Sequence, residues 1–338
     1  MTALNVRDFG AVGDGNTDDT AAIQAALDEA YGTAEAPHGG LIDVGADIYS
    51  NRPVFFPAGY YKITSPLTLR SVRGAHIFGA GRFTTYINNT ATDGSVFVTN
   101  GCDYSVFERM SFGCVAGTGK CFDLNWDGTG STALQSNTFR DISFGGGAYG
   151  LCIGADGYMG SENTIQNCYF GGHGVAGLST QNYNALQQSV TGGNFASCRI
   201  GIWVASGSVP LIHGVGFQNQ TDADIAVDNS CNDSYSIVGC RNENVYDNNT
   251  TFARIHAGAA THISGCVQLA TGTGTTFLFA EQGPPPAGTG AFCIDSCYSS
   301  TGKITGNGTL YIRGNAGGIA FGNPEYLASF AGTVVQNS

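Results

Sequence analysis

Eight short segments recur along the chain with one outline: HIFGAG at 76, VFERMSF at 106, TFRDISF at 138, TIQNCYF at 164, SVTGGNF at 189, LIHGVGF at 211, SIVGCRN at 236 and HISGCVQ at 262. Their aligned apolar positions are Ile77, Phe107, Phe139, Ile165, Val190, Ile212, Ile237 and Ile263, spaced 22 to 32 residues apart, with a weaker match at Ile294. After most units comes a glycine-rich or polar turn and a second short strand, as in GLCIG, GLSTQ, GIWVA, DIAVD, FARIH and FLFAE. Short strands and turns repeating in the twenties predict a parallel β-solenoid, in which each coil adds a rung at ~4.8 Å.

The composition agrees. Among 338 residues, 51 are glycine and only 12% are charged, so the surface is covered by Asn, Ser, Thr and Gln, not by the Glu, Lys and Arg of helical faces. The net charge of -12, with Lys62, Lys120 and Lys303 the only lysines, excludes nucleic acid as the expected partner. A few local arginines could still hold an anionic sugar in a groove. No apolar run approaches the ~18 residues of a membrane span, and the start MTALNVRDFG has no signal-peptide pattern.

The eleven cysteines are an odd count for a disulfide framework. The repeat puts Cys168, Cys240, Cys266 and Cys297 at one inward position, where stacked thiols pack as small apolar groups. No metal-ligand set and no cofactor motif is present: GGGAYG at 145 matches a dinucleotide fingerprint but leads into a strand.

A solenoid needs capped ends. NTDDTAAIQAALDEA predicts a helix with Thr17 as N-cap, Asp18 and Asp19 at the positive end of its dipole, and an apolar stripe of Ile23, Ala26, Leu27 and Ala30. GGLIDV and PVFFPAGYYKI read as the first strands after it. The expected division is one domain: cap and first strands over 1–60, coils over 61–315, and a C-terminal end over 316–338.

VRDFGAVGDGNTDDTAAIQAALDEA, followed by VFFPAGYYKI and IFGAG, resembles the N-terminal signature of the pectate-lyase-like superfamily, specifically over residues 6 to 81. The resemblance implies an all-β, single-stranded right-handed parallel β-helix with an N-terminal capping α-helix. It also implies a polysaccharide partner held along a lateral groove, an extracellular or virion-surface setting, and the homotrimer common in tailspikes. It does not fix the reaction, because the signature lies in the cap. Capping and turn formation explain Asp14, Asp18 and Asp19 better than catalysis does.

Polygalacturonases in this superfamily carry Asn-Thr-Asp, then Asp-Asp, then Gly-His-Gly on successive rungs. Here GGHG at 171 is similar to the third, but the rung before it, FGGGAYGLCIG, has no carboxylate. Hydrolysis needs a carboxylic acid and a second carboxylate, so that mechanism does not transfer, and His173 is either a substrate contact or a plain turn residue. The same elbow on later rungs aligns Val175, Arg199, Asp222 and Asn249. Asp222, Asp224, Glu243 and Asp247 form the densest carboxylate set on adjacent rungs and are the expected catalytic group, with hydrolysis slightly favoured. The alternative is that they make turns and one Arg–Asp bridge outside the winding. Arg199, Arg241, His173 and Tyr149 are expected to contact substrate, as are Trp126 and Asp127 in FDLNWDGTG. β-Elimination competes, with Tyr149, His173 and Arg199 on neighbouring rungs; a non-catalytic glycan-binding or fibre protein is the third reading.

Overall fold

The computed structural model describes residues 2–32, 52–115, 117–128, 134–155, 157–228, 233–244, 250–256, 260–270, 276–281, 291–300, 303–314 and 330–337. GGLIDV, Asp247 and Asn249 lie outside them. Each coil supplies three short strands, such as Thr138–Arg140, Ser143–Gly146 and Tyr149–Ile153. Each strand pairs in parallel with its counterpart on the next coil. The chain is therefore a parallel β-helix with three outer faces, here named first, second and third after those strands.

The repeat predicts the register of the first strands residue for residue. Val54, Ile77, Phe107, Phe139, Ile165, Val190, Ile212, Ile237, Ile263 and Ile294 form one continuous column, and all belong to the core. Between first and second strands the chain makes a tight corner with one left-handed residue. Arg109, Asp141, Asn167, Gly192, Gly214, Gly239, Gly265 and Ser296 hold this place with φ of 50° to 64°. Glycine, Asn and Asp tolerate that conformation, which is why the corner recurs, Arg109 apart, as a glycine or short polar residue.

The residue after that corner points inward, and here stand Cys168, Cys240, Cys266 and Cys297, all buried thiols in no disulfide. Each donates to the carbonyl of the first-strand core residue one coil back: Phe139, Ile212, Ile237 and Ile263, at 3.5 to 3.6 Å. Cysteine fits because it is small, apolar and able to use that carbonyl.

Second strands stack phenylalanines. Phe112, Phe144, Phe170, Phe195 and Phe217 follow one another with ring centroids 5.6, 4.7, 4.5 and 5.5 Å apart. The next coil breaks the stack, because Asn242 and then Gln268 take the ring's place. The aromatic column resumes on third strands as Phe252 and Phe277, with Phe217 edge-on to Phe252 at 6.2 Å.

The N-terminal helix spans Thr20–Tyr31 and lays Ile23, Ala26, Leu27 and Ala30 on the first coil, all buried. It starts later than Thr17: Asp19 is the N-cap residue, and Thr17 instead closes a turn on the Asp14 carboxylate. Asp18 accepts from the Thr20 amide and hydroxyl, and Asp19 from the amides of Val12 and Gly13. All three aspartates are occupied by local structure. Among the described residues no helix is long and apolar enough to cross a membrane.

Candidate functional site

At the head of each third strand the winding turns a second corner, and strict in-and-out alternation fails there for one residue. Gly150, Gly177, Gly201, Asp224, Phe252 and Phe277 occupy the same place on successive coils. A Cβ on Gly150, Gly177 or Gly201 would meet the ring of Phe170, Phe195 or Phe217 at 2.6 to 3.0 Å, so this place faces inward. The residue before it and the residue two after it face out. The third face is thus built from Lys120, Tyr149, Ala176, Ile200 and Ala223 in one column, and Asp123, Cys152, Ser179, Trp203, Ala226 and Arg254 in another.

This face has an apolar floor and charged edges. Ala176, Ile200, Ala223 and Ala226 form a small buried cluster outside the main core, covered by Tyr149 and Trp203. Those two rings lie nearly parallel, at 8°, with centroids 6.5 Å apart. Lys120 Nζ is 2.8 Å from Asp123 Oδ2. Asp222 holds two arginines, Arg254 at 2.7 Å and Arg199 at 3.6 Å. Trp203 Nε1 donates to Asp228 at 3.0 Å.

The structure divides the expected catalytic group. Asp222 faces out beside Arg199, as the turn alignment predicts, with Thr250 rather than Asn249 in the next rung's place. Asp224 does not join it. Two residues from Asp222, period-two reasoning would leave it on the same side, but the corner turns it into the core, where it is 1% exposed. Glu243 lies on the second face, paired with Arg241 at 2.5 Å. Arg241 therefore does not border Arg199 either; with Glu243 it edges a notch of about 150 Å³ opened by Gly216. Among the described residues, no two of these carboxylates converge.

His173 is corrected as a groove contact. It is 1% exposed, and its Nδ1 lies 2.6 Å from the Gly146 carbonyl, which can only accept, so Nδ1 carries the proton. Nε2 is buried with no partner among the described residues. Burial pushes the imidazole down to about 4, so His173 is neutral and packs against Phe170. Trp126 packs partly on the core, and Asp127 accepts from Asn100 at 2.8 Å. Sequence reasoning missed Lys120 as a site residue, along with Trp203, Arg254 and Asp228. All four were visible: Trp203, Asp228 and Arg254 stand in the aligned strands GIWVA, DIAVD and FARIH, and Lys120 opens the strand that aligns with Tyr149.

Among the described residues the Asp224 carboxyl has one side-chain partner, the Asn242 amide, which donates to Oδ2 at 2.5 Å. Its Oδ1 and the Asn242 Oδ1 are both buried without a partner among the described residues. A proton on Asp224 would remove the charge that burial disfavours, and burial pushes the carboxyl well above its usual range. A raised carboxyl contributes fully below its unfolded value of 3.8, and that contribution is lost as pH climbs through the folded value. Asp224→Asn, which replaces the acid by an amide of the same shape, is therefore expected to melt higher than the parent at pH 8, with the gap closing toward pH 4. Lower stability of the variant at pH 8 would contradict the assignment. The sign reverses for His173. Its depressed value keeps stability whole above 6.5 and loses it as pH falls toward 4, a loss of about 3 kcal/mol. Acid unfolding of Asp224→Asn should retain this step.

A parallel winding of three-stranded coils under an N-terminal helix is the architecture of pectate-lyase-like β-helix proteins. The chain belongs to the Rhamnogalacturonase A/epimerase, pectate lyase-like family, which matches over residues 3–225. It is 43% identical over 90 residues to mannuronan C5-epimerase AlgE2 of Azotobacter vinelandii, 25% of this chain and 7% of that protein. Alginate lyase 7 of the same organism is 34% identical over 133 residues, 30% of this chain and 16% of that protein. The chain thus spans under a fifth of these relatives' length. Among solved structures, ORF18 of Geobacillus virus E2 superposes with a TM-score of 0.60 at 20% identity, over 99% of this chain and 60% of that one. The catalytic unit of a GH87 α-1,3-glucanase from Streptomyces thermodiastaticus gives 0.56 at 13% identity, over 99% and 69%. At such identities these two show the shared fold.

Proposed function

We propose that the third face binds an extended, uronate-containing polysaccharide and abstracts the proton beside the uronate carboxyl, with Tyr149 as base. The observation that carries this reading is the placement of Tyr149. It faces outward, one rung from Lys120 and in register with it, while the carboxylates that hydrolysis requires do not meet. Hydrolysis, favoured on sequence grounds, loses its acid–base pair once Asp224 is buried and Glu243 sits on another face.

In the proposed step Tyr149 reacts as its phenolate, having lost its own proton to solvent; that oxygen takes the substrate proton and the C–H electron pair moves into the adjacent carboxyl. Cations then offset the charge that develops there, as Lys120 does from its rung and Arg199 and Arg254 do further along the axis. Expulsion of the neighbouring glycosidic oxygen, with a proton delivered to it, gives elimination. Return of a proton to the opposite side of the carbon gives epimerisation. The epimerase and lyase names among the relatives support uronate chemistry. A polymer too large to be imported favours an extracellular or virion-surface setting, and the homotrimer remains part of the proposal.

Incubation with mannuronan, alginate and α-1,3-glucan tests the reading. Unsaturated uronates, or exchange of solvent deuterium into the uronate ring, are the expected products. New reducing ends without unsaturation would contradict it in favour of hydrolysis. Binding with no change to the polymer would support a glycan-binding protein, a reading favoured by the ion pairs that already occupy Lys120, Arg199 and Arg254.

A further inference from the structure

We infer that the loops leaving the third face on three successive coils form an aromatic shelf, with Tyr158 and Tyr183 as platforms on which sugar rings of the glycan stack. The inference rests on the third face being a glycan site and extends that site past its edge.

Tyr183 and Tyr158 are 75% and 59% exposed, the two most exposed large apolar side chains among the described residues. Rings presented so openly gain nothing from the core, and aromatic side chains of this kind serve at recognition surfaces. Both lie in loops that follow third strands, Tyr149–Ile153 and Ala176–Gln181, and Trp126 follows Lys120–Leu124 in the same way.

The loops are locked to one another. The Gly154 amide donates to the Leu124 carbonyl at 2.9 Å, and the Tyr158 amide to the Trp126 carbonyl at 3.1 Å. The Asn182 side chain donates to the Gly157 carbonyl, tying the third loop to the second. Gly128 has φ of +84°, and a Cβ there would meet the Tyr158 ring at 2.8 Å, so the ring lies directly over that backbone. The Trp126 and Tyr158 rings meet edge-on at 6.5 Å. Tyr183 sits at the centre of a turn closed by Asn182, whose Oδ1 accepts from the Asn184 amide at 2.9 Å.

Rings held on fixed backbones pay little ordering entropy on binding. A pyranose offers a flat C–H face to such a ring, and the surrounding Asn125, Asn182 and Asn184 amides suit its hydroxyls. Stacking is indifferent to carboxyl groups, so the shelf adds affinity for chain length rather than for charge.

Affinity electrophoresis in gels containing alginate or α-1,3-glucan separates the two levels of the argument. Tyr158→Ala and Tyr183→Ala are each expected to weaken retardation roughly three- to tenfold, and the double variant more. Tyr158→Phe and Tyr183→Phe should bind within twofold of the parent, and neither they nor Tyr183→Ala should shift the thermal transition, because the Tyr183 ring is exposed and phenylalanine keeps the packing of Tyr158 on Trp126. Parent-like retardation of the double alanine variant would overturn the shelf and leave the third-face reading intact. So would equal weakening by the phenylalanine variants, which would assign the effect to the hydroxyls. No retardation of the parent in either gel would overturn both.

Discussion

Truncating Phe195 to alanine is expected to cost about 3–5 kcal/mol. Its ring is fully buried and lies between Phe170, at 4.5 Å and 3°, and Phe217, at 5.5 Å and 17°. Rung spacing on either side is set by parallel hydrogen bonding, so neighbouring coils cannot close on the gap, and the loss falls at the high end of aromatic truncations. The damage also falls mid-winding. In a one-dimensional stack each coil touches only its neighbours, so a weakened interface uncouples the two ends. Denaturant unfolding followed by tyrosine and tryptophan emission should show an earlier, broader transition. A loss below 1 kcal/mol would contradict the ring column. Phe83→Ala, whose ring is exposed, supplies the comparison, with an expected change within about half a kcal/mol.

Replacing Tyr149 by phenylalanine is expected to lower turnover about 10²- to 10⁴-fold, the range for removing a positioned acid or base. The ring remains, so its packing with Trp203 over the alanine floor remains, and glycan retardation should match the parent. This split separates Tyr149 as a base from Tyr149 as a platform. Asp222→Asn should behave differently: it releases Arg199 and Arg254 and changes substrate binding more than turnover. Asp224→Asn should retain full turnover at neutral pH, because no atom of that carboxyl reaches the third face. Unchanged turnover in Tyr149→Phe would remove the proposed base.

What could be read from the sequence was whatever repeats. The inward first-strand column, the cysteine column and the helix stripe each follow from a period, and the structure reproduces each residue. What could not be read was the corner ahead of the third strands. Asp222 and Asp224 are separated by one alanine, which in a regular strand means a shared face. The corner turns the second of them into the core instead, against Asn242. The glycines at 150, 177 and 201 hint at this, since their place has no room for a side chain until Phe217 gives way to Asn242. His173 was misread for a related reason: a histidine in a glycine-rich elbow looks exposed, yet its ring folds back under Gly146. Glu243 and Arg241 were placed by rung but not by face, because a repeat fixes height along the axis better than angle around it.

The central claim is that the third face holds the sugar polymer, and a crystal of the Tyr149→Phe variant grown with a mannuronan oligosaccharide tests it most directly. Sugar density is expected along the axis, across residue 149 and Trp203, with a uronate carboxyl toward Lys120 or Arg254. Density seated in the Gly216 notch beside Arg241 and Glu243, with the third face empty, would contradict it.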